Sequence, residues 1–345
     1  MLKAVELAVK AREKYEQTFS QTTGNPTRAK IALALGPYGA TLEPAAEYTG
    51  IYPPPYGPYP VPPTSIIDPE YRPLSKSDDT SHTNALAAFH LSRLLVYARH
   101  TDVWNSIDLL AFETIPLVTE AKAIRMAVTR LEDWLQEAEL REGKETMISS
   151  RMKPWYLSFV FPGPKGEFIQ RHSSATKRSQ EMQGLASDGY TRLPTAYTAY
   201  EVARVALAPE IDGDQRTLSV PGGIGVNCTF CNVTASIVEG YACAIRDMRL
   251  KAMQQNAELP WLVLYPNGGQ TYNPVERVWS DGPLGSSEQI KEEITWARTL
   301  AELVYNRISD HFVADSAVFG GLLIGGCCKT RPKEIKELKS QLSIP

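Results

Sequence analysis

Cysteine is the residue type whose spacing in this sequence most clearly suggests chemistry. Four of the five cysteines occur in two local groups, Cys228 with Cys231 and the adjacent pair Cys327 and Cys328. Adjacent cysteines rarely bond to each other because the disulfide would be strained. In a reducing compartment, such groups more often bind a metal or take part in catalysis than form bridges. The fifth, Cys243, lies alone in a helical pattern, where we expect it to pack as a small apolar side chain.

Three sulfurs from two distant parts of the chain are candidates for one metal site. Cys228 follows a predicted strand at 224–227, and Cys327 and Cys328 follow another at 317–324. Three thiolates with one open position are typical of a catalytic zinc site, because a structural site is closed by a fourth protein ligand. Sulfur favours zinc over magnesium or calcium, which prefer oxygen. Packing in the core is the alternative explanation for each cysteine taken singly.

Other metal-binding and catalytic patterns are absent from the sequence. Cys231 forms a C-x2-C with Cys228, but the second C-x2-C of a zinc ribbon is missing. The five histidines show no H-E-x-x-H or H-x-x-x-H spacing, and no G-x-S-x-G motif occurs. These absences disfavour a histidine metal site and an α/β-hydrolase.

Short apolar segments alternate with longer amphipathic patterns along the chain. The apolar segments predict six strands, at 30–35, 106–112, 155–161, 224–227, 261–265 and 317–324. The amphipathic patterns predict helices at 1–19, 83–99, 117–140, 199–207, 233–253 and 287–308, followed by a short basic helix at the end of the chain. This alternation indicates a parallel sheet covered by helices.

Two α/β architectures share this alternation, a doubly wound open sheet and a (β/α)8 TIM-type barrel. No glycine-rich phosphate-binding motif follows the first strand, which disfavours a nucleotide-binding sheet. Because the chain opens on a helix, we expect a barrel that is incomplete at its N terminus and contains strands 3 to 8. In a barrel, residues just after the strands meet at one mouth, and here Glu113 and Asn267 join the cysteines. Glu113 has a simpler explanation as a carboxylate at a helix N terminus.

Length and charge restrict the remaining possibilities. The chain has 345 residues, of which 43% are hydrophobic, so it is long enough for one large domain with a sizeable core. A formal net charge of −3 gives no electrostatic reason to expect a nucleic acid or an anionic membrane as partner. No segment is apolar enough to span a bilayer, and residues 1–10 lack the apolar block of a signal peptide, so we expect a cytoplasmic protein. A stretch rich in proline and tyrosine at 50–80 predicts an irregular surface loop within a single domain, 1–345.

Three motifs at the predicted strand ends resemble those of the homocysteine S-methyltransferase family. They are FETIP at 112–116, GVNCT at 225–229 and GGCC at 325–328. Further agreement comes from GPYGA at 36–40, EYTG at 47–50 and YPN at 265–267. The motifs occur in the family's order, and the combination of GVNCT with the cysteine pair is the most specific.

The resemblance implies a (β/α)8 barrel in which Cys228, Cys327 and Cys328 bind zinc. It also implies methyl transfer from a sulfonium donor, S-methylmethionine or S-adenosylmethionine, to the thiol of homocysteine, giving methionine. Glu113 would hold the amino-acid part of homocysteine, and Asn227 would support the site. No catalytic residue is implied beyond the zinc-activated substrate thiol. Inserts at 142–152 and 212–215 are similar to those of fungal members.

The sequence departs from the family's pattern at its start. Members usually begin with a strand that carries an Asp-Gly-Gly motif, followed by a second strand with a polar end, and neither is present. The Asp of that motif normally helps to bind the substrate's amino group. We therefore expect an open barrel edge that favours self-association. A catalytically inactive, zinc-binding remnant is the alternative to an active enzyme.

Overall fold

A computed structural model describes most of the chain. The described residues are 1–23, 28–57, 76–142, 152–162, 168–170, 195–210, 217–252, 258–268, 271–273, 278–280, 289–313 and 316–342. The predicted insert at 212–215, nearly all of the one at 142–152, and most of the predicted loop at 50–80 lie outside these ranges. Within them, no helix is both long enough and apolar enough to cross a membrane.

Six of the described strands form one parallel sheet, in the order β1-β2-β3-β6-β7-β10. The other four form two antiparallel pairs, β4 with β5 and β8 with β9. Chain order and sheet order agree, because every crossover leads to the next strand of the sheet. The strands are β1 Ala32–Leu35, β2 Leu109–Ile115, β3 Trp155–Phe159, β4 Phe168–Gln170, β5 Thr195–Tyr197, β6 Gly223–Asn227, β7 Trp261–Tyr265, β8 Thr271–Asn273, β9 Val278–Ser280 and β10 Gly321–Ile324.

The helices that connect these strands pack against one another in sequence. Contacts join α2 to α4, α4 to α5, α5 to α6, α6 to α7 and α7 to α8. This succession is what a single helical layer around one sheet requires. The helices are α1 Leu2–Thr23, α2 Lys76–Ala98, α3 Thr101–Ser106, α4 Val118–Glu142, α5 Ala199–Leu207, α6 Cys231–Ala252, α7 Gln289–Leu303 and α8 Pro332–Gln341.

The two faces of the sheet differ in character. Alternate residues such as Phe112, Leu157 and Val226 are fully buried in the main core, which includes side chains from the helices. On the other face, Ala111, Tyr156 and Val263 form a separate, small buried cluster. The helix-facing side therefore holds the main core, and the opposite face carries fewer apolar contacts.

The opposite face becomes exposed at the start of β7 and along β10. Trp261 is 52% exposed and Leu323 is 44% exposed. The register pairs Gly321 with Trp261, and Leu323 with Val263, so both exposed side chains belong to the same face. Among the described strands, β1 and β10 each have one neighbour in the sheet.

The segment after β1, residues 36–57, is held in place by a buried carboxylate on α4. Glu120 is fully buried, and its Oε1 accepts a hydrogen bond of 2.7 Å from Tyr38 N. Its Oε2 accepts one of 2.6 Å from the Tyr52 hydroxyl, and His90 Nε2 lies 3.0 Å from Oε1. Gly50 in this segment has a φ of 61°, and a side chain there would collide with Leu117. These contacts fix the segment relative to the end of β2.

The structure confirms the predicted α/β class and all six strands of the parallel sheet. Strand β2 begins later than predicted because Thr101–Ser106 forms a short helix, and β10 is confined to Gly321–Ile324. The four short strands β4, β5, β8 and β9 were not predicted. Closure of the sheet into a barrel stays a prediction.

Candidate metal centre

The three predicted sulfur ligands stand at the carboxyl ends of two different strands. Cys228 directly follows β6 and has a φ of 49°, a left-handed conformation that few residues other than glycine adopt. Cys327 and Cys328 are the third and fourth residues after the end of β10. Cys327 N donates a hydrogen bond of 2.9 Å to Pro266 O, and Cys328 O accepts one of 2.9 Å from Gly268 N. The turn with the cysteine pair is thus attached to the segment after β7.

The three sulfurs converge on one point, as the sequence predicted. Cys228 Sγ lies 2.6 Å from Cys327 Sγ and 3.9 Å from Cys328 Sγ, and Cys327 Sγ lies 3.9 Å from Cys328 Sγ. All three cysteines are free. A tetrahedral site with Zn–S bonds of about 2.3 Å has sulfurs about 3.8 Å apart, which two of the three separations match. The third is shorter than that edge, so metal binding requires Cys228 and Cys327 to move apart.

The acid–base properties of the three thiols are unequal. Hydrogen bonds from Cys228 and Cys327, together with one from Tyr48, lower the pKa of Cys328 to about 3. Hydrogen bonding with Cys327 and Cys328, reinforced by burial, raises the pKa of Cys228. For Cys327, the hydrogen bond with Cys228 lowers the pKa, but the bond with Cys328 and burial outweigh it and bring the pKa to about 11. The cluster by itself favours one thiolate, whereas a bound divalent cation would stabilise all three.

Asn227 is buried next to the sulfur cluster. Its Oδ1 accepts hydrogen bonds of 2.9 Å from Thr114 N and 2.7 Å from the Ser158 hydroxyl. Its Nδ2 donates one of 2.7 Å to Thr114 Oγ1, and Thr114 has a φ of 59°. The Thr114 hydroxyl lies 3.8 Å from Cys228 Sγ. Asn227 therefore contacts the site through Thr114.

Glu113 lies near the carboxyl end of β2, one residue before Thr114. Its side chain is half-buried, and burial raises the pKa of its carboxyl group, with the Tyr265 hydroxyl opposing and the charge of Cys328 adding to the shift. No lysine, arginine or histidine forms an ion pair with it in the described ranges. The charge of Cys328 acts on this carboxylate, and a role in holding the substrate stays a prediction.

Two site residues were missed at the level of sequence, Glu47 and Tyr48. The Tyr48 hydroxyl hydrogen-bonds to Cys228 and Cys328, and both the tyrosine and Glu47 are half-buried. Burial raises the pKa of the Glu47 carboxyl, and the charge of Cys328 contributes. Both residues belong to the EYTG motif, which contributed to the family resemblance without suggesting a role.

The other singled-out residues lie outside the sulfur cluster. Cys231 opens α6 and is not part of the three-cysteine group, and burial raises the pKa of its thiol to about 11. Cys243 is half-buried and lies 3.4 Å from Glu239 Oε1, so the expectation of a buried packing residue is wrong. Asn267 follows β7, and its buried Oδ1 has no hydrogen-bond partner among the described residues.

Comparison with known proteins identifies the family of the chain. The family profile "Homocysteine S-methyltransferase" matches residues 1–342. Homocysteine S-methyltransferase YbgG of Bacillus subtilis is 25% identical over 335 residues, covering 97% of this chain and 68% of that protein. Homocysteine S-methyltransferase 1 of Saccharomyces cerevisiae is 27% identical over 236 residues, covering 68% of this chain and 48% of that protein.

A solved structure, the metallated form of the homocysteine methyltransferase MmuM from Escherichia coli, covers 99% of this chain and 69% of its own chain, with a TM-score of 0.47 and 20% identity. The assignment depends on the family profile, which extends over nearly the whole sequence. The chain belongs to the homocysteine S-methyltransferase family of enzymes.

Proposed function

We propose that this chain transfers a methyl group from a sulfonium donor to the thiol of homocysteine, giving methionine, with Zn²⁺ held by Cys228, Cys327 and Cys328. The observation that carries the proposal is the convergence of these three sulfurs, from two strand ends 99 or more residues apart, in a chain of this family. Bound Zn²⁺ lowers the pKa of a coordinating thiol and would thus present the substrate as its thiolate.

The residues around the cluster have distinct tasks in this proposal. The Glu113 carboxylate binds the ammonium group of homocysteine, since it is half-buried beside Cys328. Asn227 supports the site by fixing Thr114 against Cys228. Methyl transfer then forms a bond between the homocysteine sulfur and the methyl carbon, while the donor's C–S bond breaks and its electron pair leaves with the sulfide. No general base is needed once the acceptor is a thiolate, and holding the two reactants together supplies much of the acceleration.

The donor we propose is cationic, S-methylmethionine or S-adenosylmethionine. Glu47 and Glu113 place two half-buried carboxylates near Cys328, and no cationic side chain forms an ion pair with either in the described part of the chain. A positively charged sulfonium group and the ammonium groups of the amino acids complement this negative surface. The same surroundings disfavour an anionic donor.

We further propose one barrel-type domain in the cytoplasm that self-associates along its sheet edges. The profile match over residues 1–342 supports a single domain. Exposed Leu323 on the edge strand β10, with exposed Trp261 on its neighbour β7, supports association. Sedimentation of the purified chain over a range of concentrations tests it, and a monomer at every concentration would contradict it.

The activity is tested by incubating the zinc-loaded chain with homocysteine and each sulfonium donor and by measuring methionine. We expect methionine with at least one donor and none with a Cys228→Ser variant. A folded, zinc-loaded chain that produces no methionine from either donor would contradict the proposal. That result would instead favour a metal-binding relative without turnover.

A further inference from the structure

The three sulfurs of the metal centre differ in their hydrogen-bonding partners. Cys228 Sγ lies 3.8 Å from the hydroxyl of Thr114 and hydrogen-bonds to the hydroxyl of Tyr48, which also contacts Cys328. Among the described residues, no hydroxyl hydrogen-bonds to Cys327 Sγ, whose partners are the other two sulfurs. The most buried of the three cysteines is thus also the one with the most hydroxyl contacts.

The direction of the Thr114 hydrogen bond follows from its neighbours. Thr114 N can only donate, so the atom of Asn227 that faces it, 2.9 Å away, must be the amide oxygen. The Asn227 nitrogen then faces Thr114 Oγ1 at 2.7 Å and donates to it. Because the Thr114 hydroxyl already accepts this bond, its one hydrogen is available for Cys228. With the amide in this orientation, the Ser158 hydroxyl donates to Asn227 Oδ1 over 2.7 Å.

The position of Tyr48 is fixed by hydrogen bonds from its segment to Glu120. Tyr38 N and the Tyr52 hydroxyl, on either side of Tyr48 in sequence, both donate to this buried carboxylate. A hydrogen bond from Ala46 N to Gly39 O, 2.9 Å long, closes the segment between them. The Tyr48 hydroxyl is therefore presented to the sulfurs by a segment with its own anchors.

A methyl-transfer site with three sulfur ligands contains four sulfurs that could accept the methyl group. Transfer to a ligand would form a bond from the cysteine sulfur to the methyl carbon and break the donor's C–S bond, with the electron pair leaving on the sulfide. The ligand would become an uncharged thioether, a weaker metal ligand than a thiolate. Hydrogen bonds to a thiolate withdraw negative charge from it, and less basic thiolates are weaker nucleophiles.

We propose that the hydroxyls of Thr114 and Tyr48 keep Cys228 a metal ligand and not a methyl acceptor, and thereby direct methylation to the substrate sulfur. Both are selectivity residues that act through Cys228 and do not touch the reacting atoms. The inference rests on the proposed function. It assigns a role to the hydroxyls of Thr114 and Tyr48, which are not themselves metal ligands.

The test measures methylation of each cysteine in the zinc-loaded chain, with iodomethane as the probe. Iodomethane is small and neutral, so its reaction does not depend on the sulfonium site, and iodide leaves as the new S–C bond forms. Digestion and mass spectrometry give the extent of methylation at Cys228 relative to Cys327. We expect Thr114→Val and Tyr48→Phe each to raise this ratio by about 3- to 10-fold, from the loss of one hydrogen bond to a charged sulfur.

Matched variants separate this role from a structural one. Thr114→Ser keeps the hydroxyl and should retain the native ratio. Tyr56→Phe removes a hydroxyl from the same segment, where Tyr56 stacks on Tyr38, and should leave the ratio unchanged. Tyr48→Phe alone decides the matter if Thr114→Val does not fold.

An unchanged ratio in Tyr48→Phe, or an equal rise in Tyr56→Phe, would overturn the inference. Methionine formation by the native chain is measured separately and decides only the proposed function. The two ideas can therefore fail independently.

Discussion

Glu113 and Glu120 lie seven positions apart, on either side of Pro116, yet their surroundings differ completely. Glu120 is fully buried and is matched by a backbone amide, a tyrosine hydroxyl and the ring of His90. Glu113 is half-buried and has no cationic partner among the described residues. A buried carboxylate with enough donors stabilises the fold, whereas one with few protein partners can bind a ligand.

The same contrast holds for the regions around them. In the region of Glu120, groups of the protein itself supply the partners of the carboxylate, and two of these hydrogen bonds position the segment that contains Tyr48. The region of Glu113 collects three sulfurs and two carboxylates close together, and the fully ionised form of this group is unfavourable without a cation. Substitutions in the two regions should therefore fail in different ways.

The largest effect is expected in the sulfur region, for Cys327→Ser. Two remaining thiolates make an inadequate site, so this variant should lose bound zinc and all methyl transfer while it stays folded. Metal analysis and circular dichroism on the same sample measure both properties. Full zinc occupancy in this variant would show that the ligand assignment is wrong.

The next largest effect is expected in the other region, for Glu120→Gln. The amide nitrogen of Gln cannot accept from Tyr38 N or Tyr52, so a buried donor loses its partner, at a cost of about 2–4 kcal/mol in the free energy of unfolding. Denaturant unfolding measures this cost. Glu302→Gln is the control, because Glu302 pairs with Arg298 on the exposed surface, where solvent screens the pair, and it should leave the free energy of unfolding almost unchanged.

Glu113→Gln should show the opposite behaviour. Its free energy of unfolding should stay close to the native value, because the described structure gives the carboxylate no ion pair to lose. kcat/KM for homocysteine should fall about 10- to 100-fold, the value of one hydrogen bond to a charged group. Zinc content should not change. A variant that loses stability and keeps its activity would show that Glu113, like Glu120, stabilises the fold and does not bind the substrate.

Acid should weaken the Glu120 region through His90. Burial lowers the pKa of this histidine, although the contact with Glu120 opposes the shift. The unfolded chain then binds a proton at a higher pH than the folded chain, so His90 makes stability fall as the pH drops below about 6.5. Unfolding measured between about pH 8 and pH 6 should show a smaller decrease in His90→Gln than in the native chain. Equal slopes would exclude His90 as the source.

The smallest effect is expected for Cys231→Ser, three residues from a ligand. Cys231 is outside the three-sulfur group, so zinc content and methionine formation should be unchanged. The variants Cys231→Ser and Cys327→Ser thus compare a cysteine outside the three-sulfur group with one inside it. Loss of metal in the former would mean that the wrong member of the C-x2-C was chosen.

The sequence was sufficient to predict the six strands of the parallel sheet and the cluster of three cysteines, but not the surroundings of that cluster. Strand periodicity and strand ends predicted the parallel sheet and the convergence of Cys228 with Cys327 and Cys328, because the carboxyl ends of parallel strands meet at one edge. Strands β4 and β5 are three residues each, too short for a periodic signal.

The sequence could not predict contacts between side chains that lie far apart along the chain. Tyr48 meets Cys228 from a segment that Glu120, more than 60 positions away, helps to anchor. Thr114 reaches the same sulfur because it adopts a left-handed backbone conformation that no propensity favours. Both roles depend on tertiary placement, and motif matching indicated only that the residues belong to a family.

Zinc content per chain in the soluble, size-purified protein tests whether Cys228, Cys327 and Cys328 hold one zinc ion. We expect about one zinc per chain in a single homogeneous peak, as this ligand assignment requires. A folded chain in a homogeneous peak that binds no zinc would contradict it.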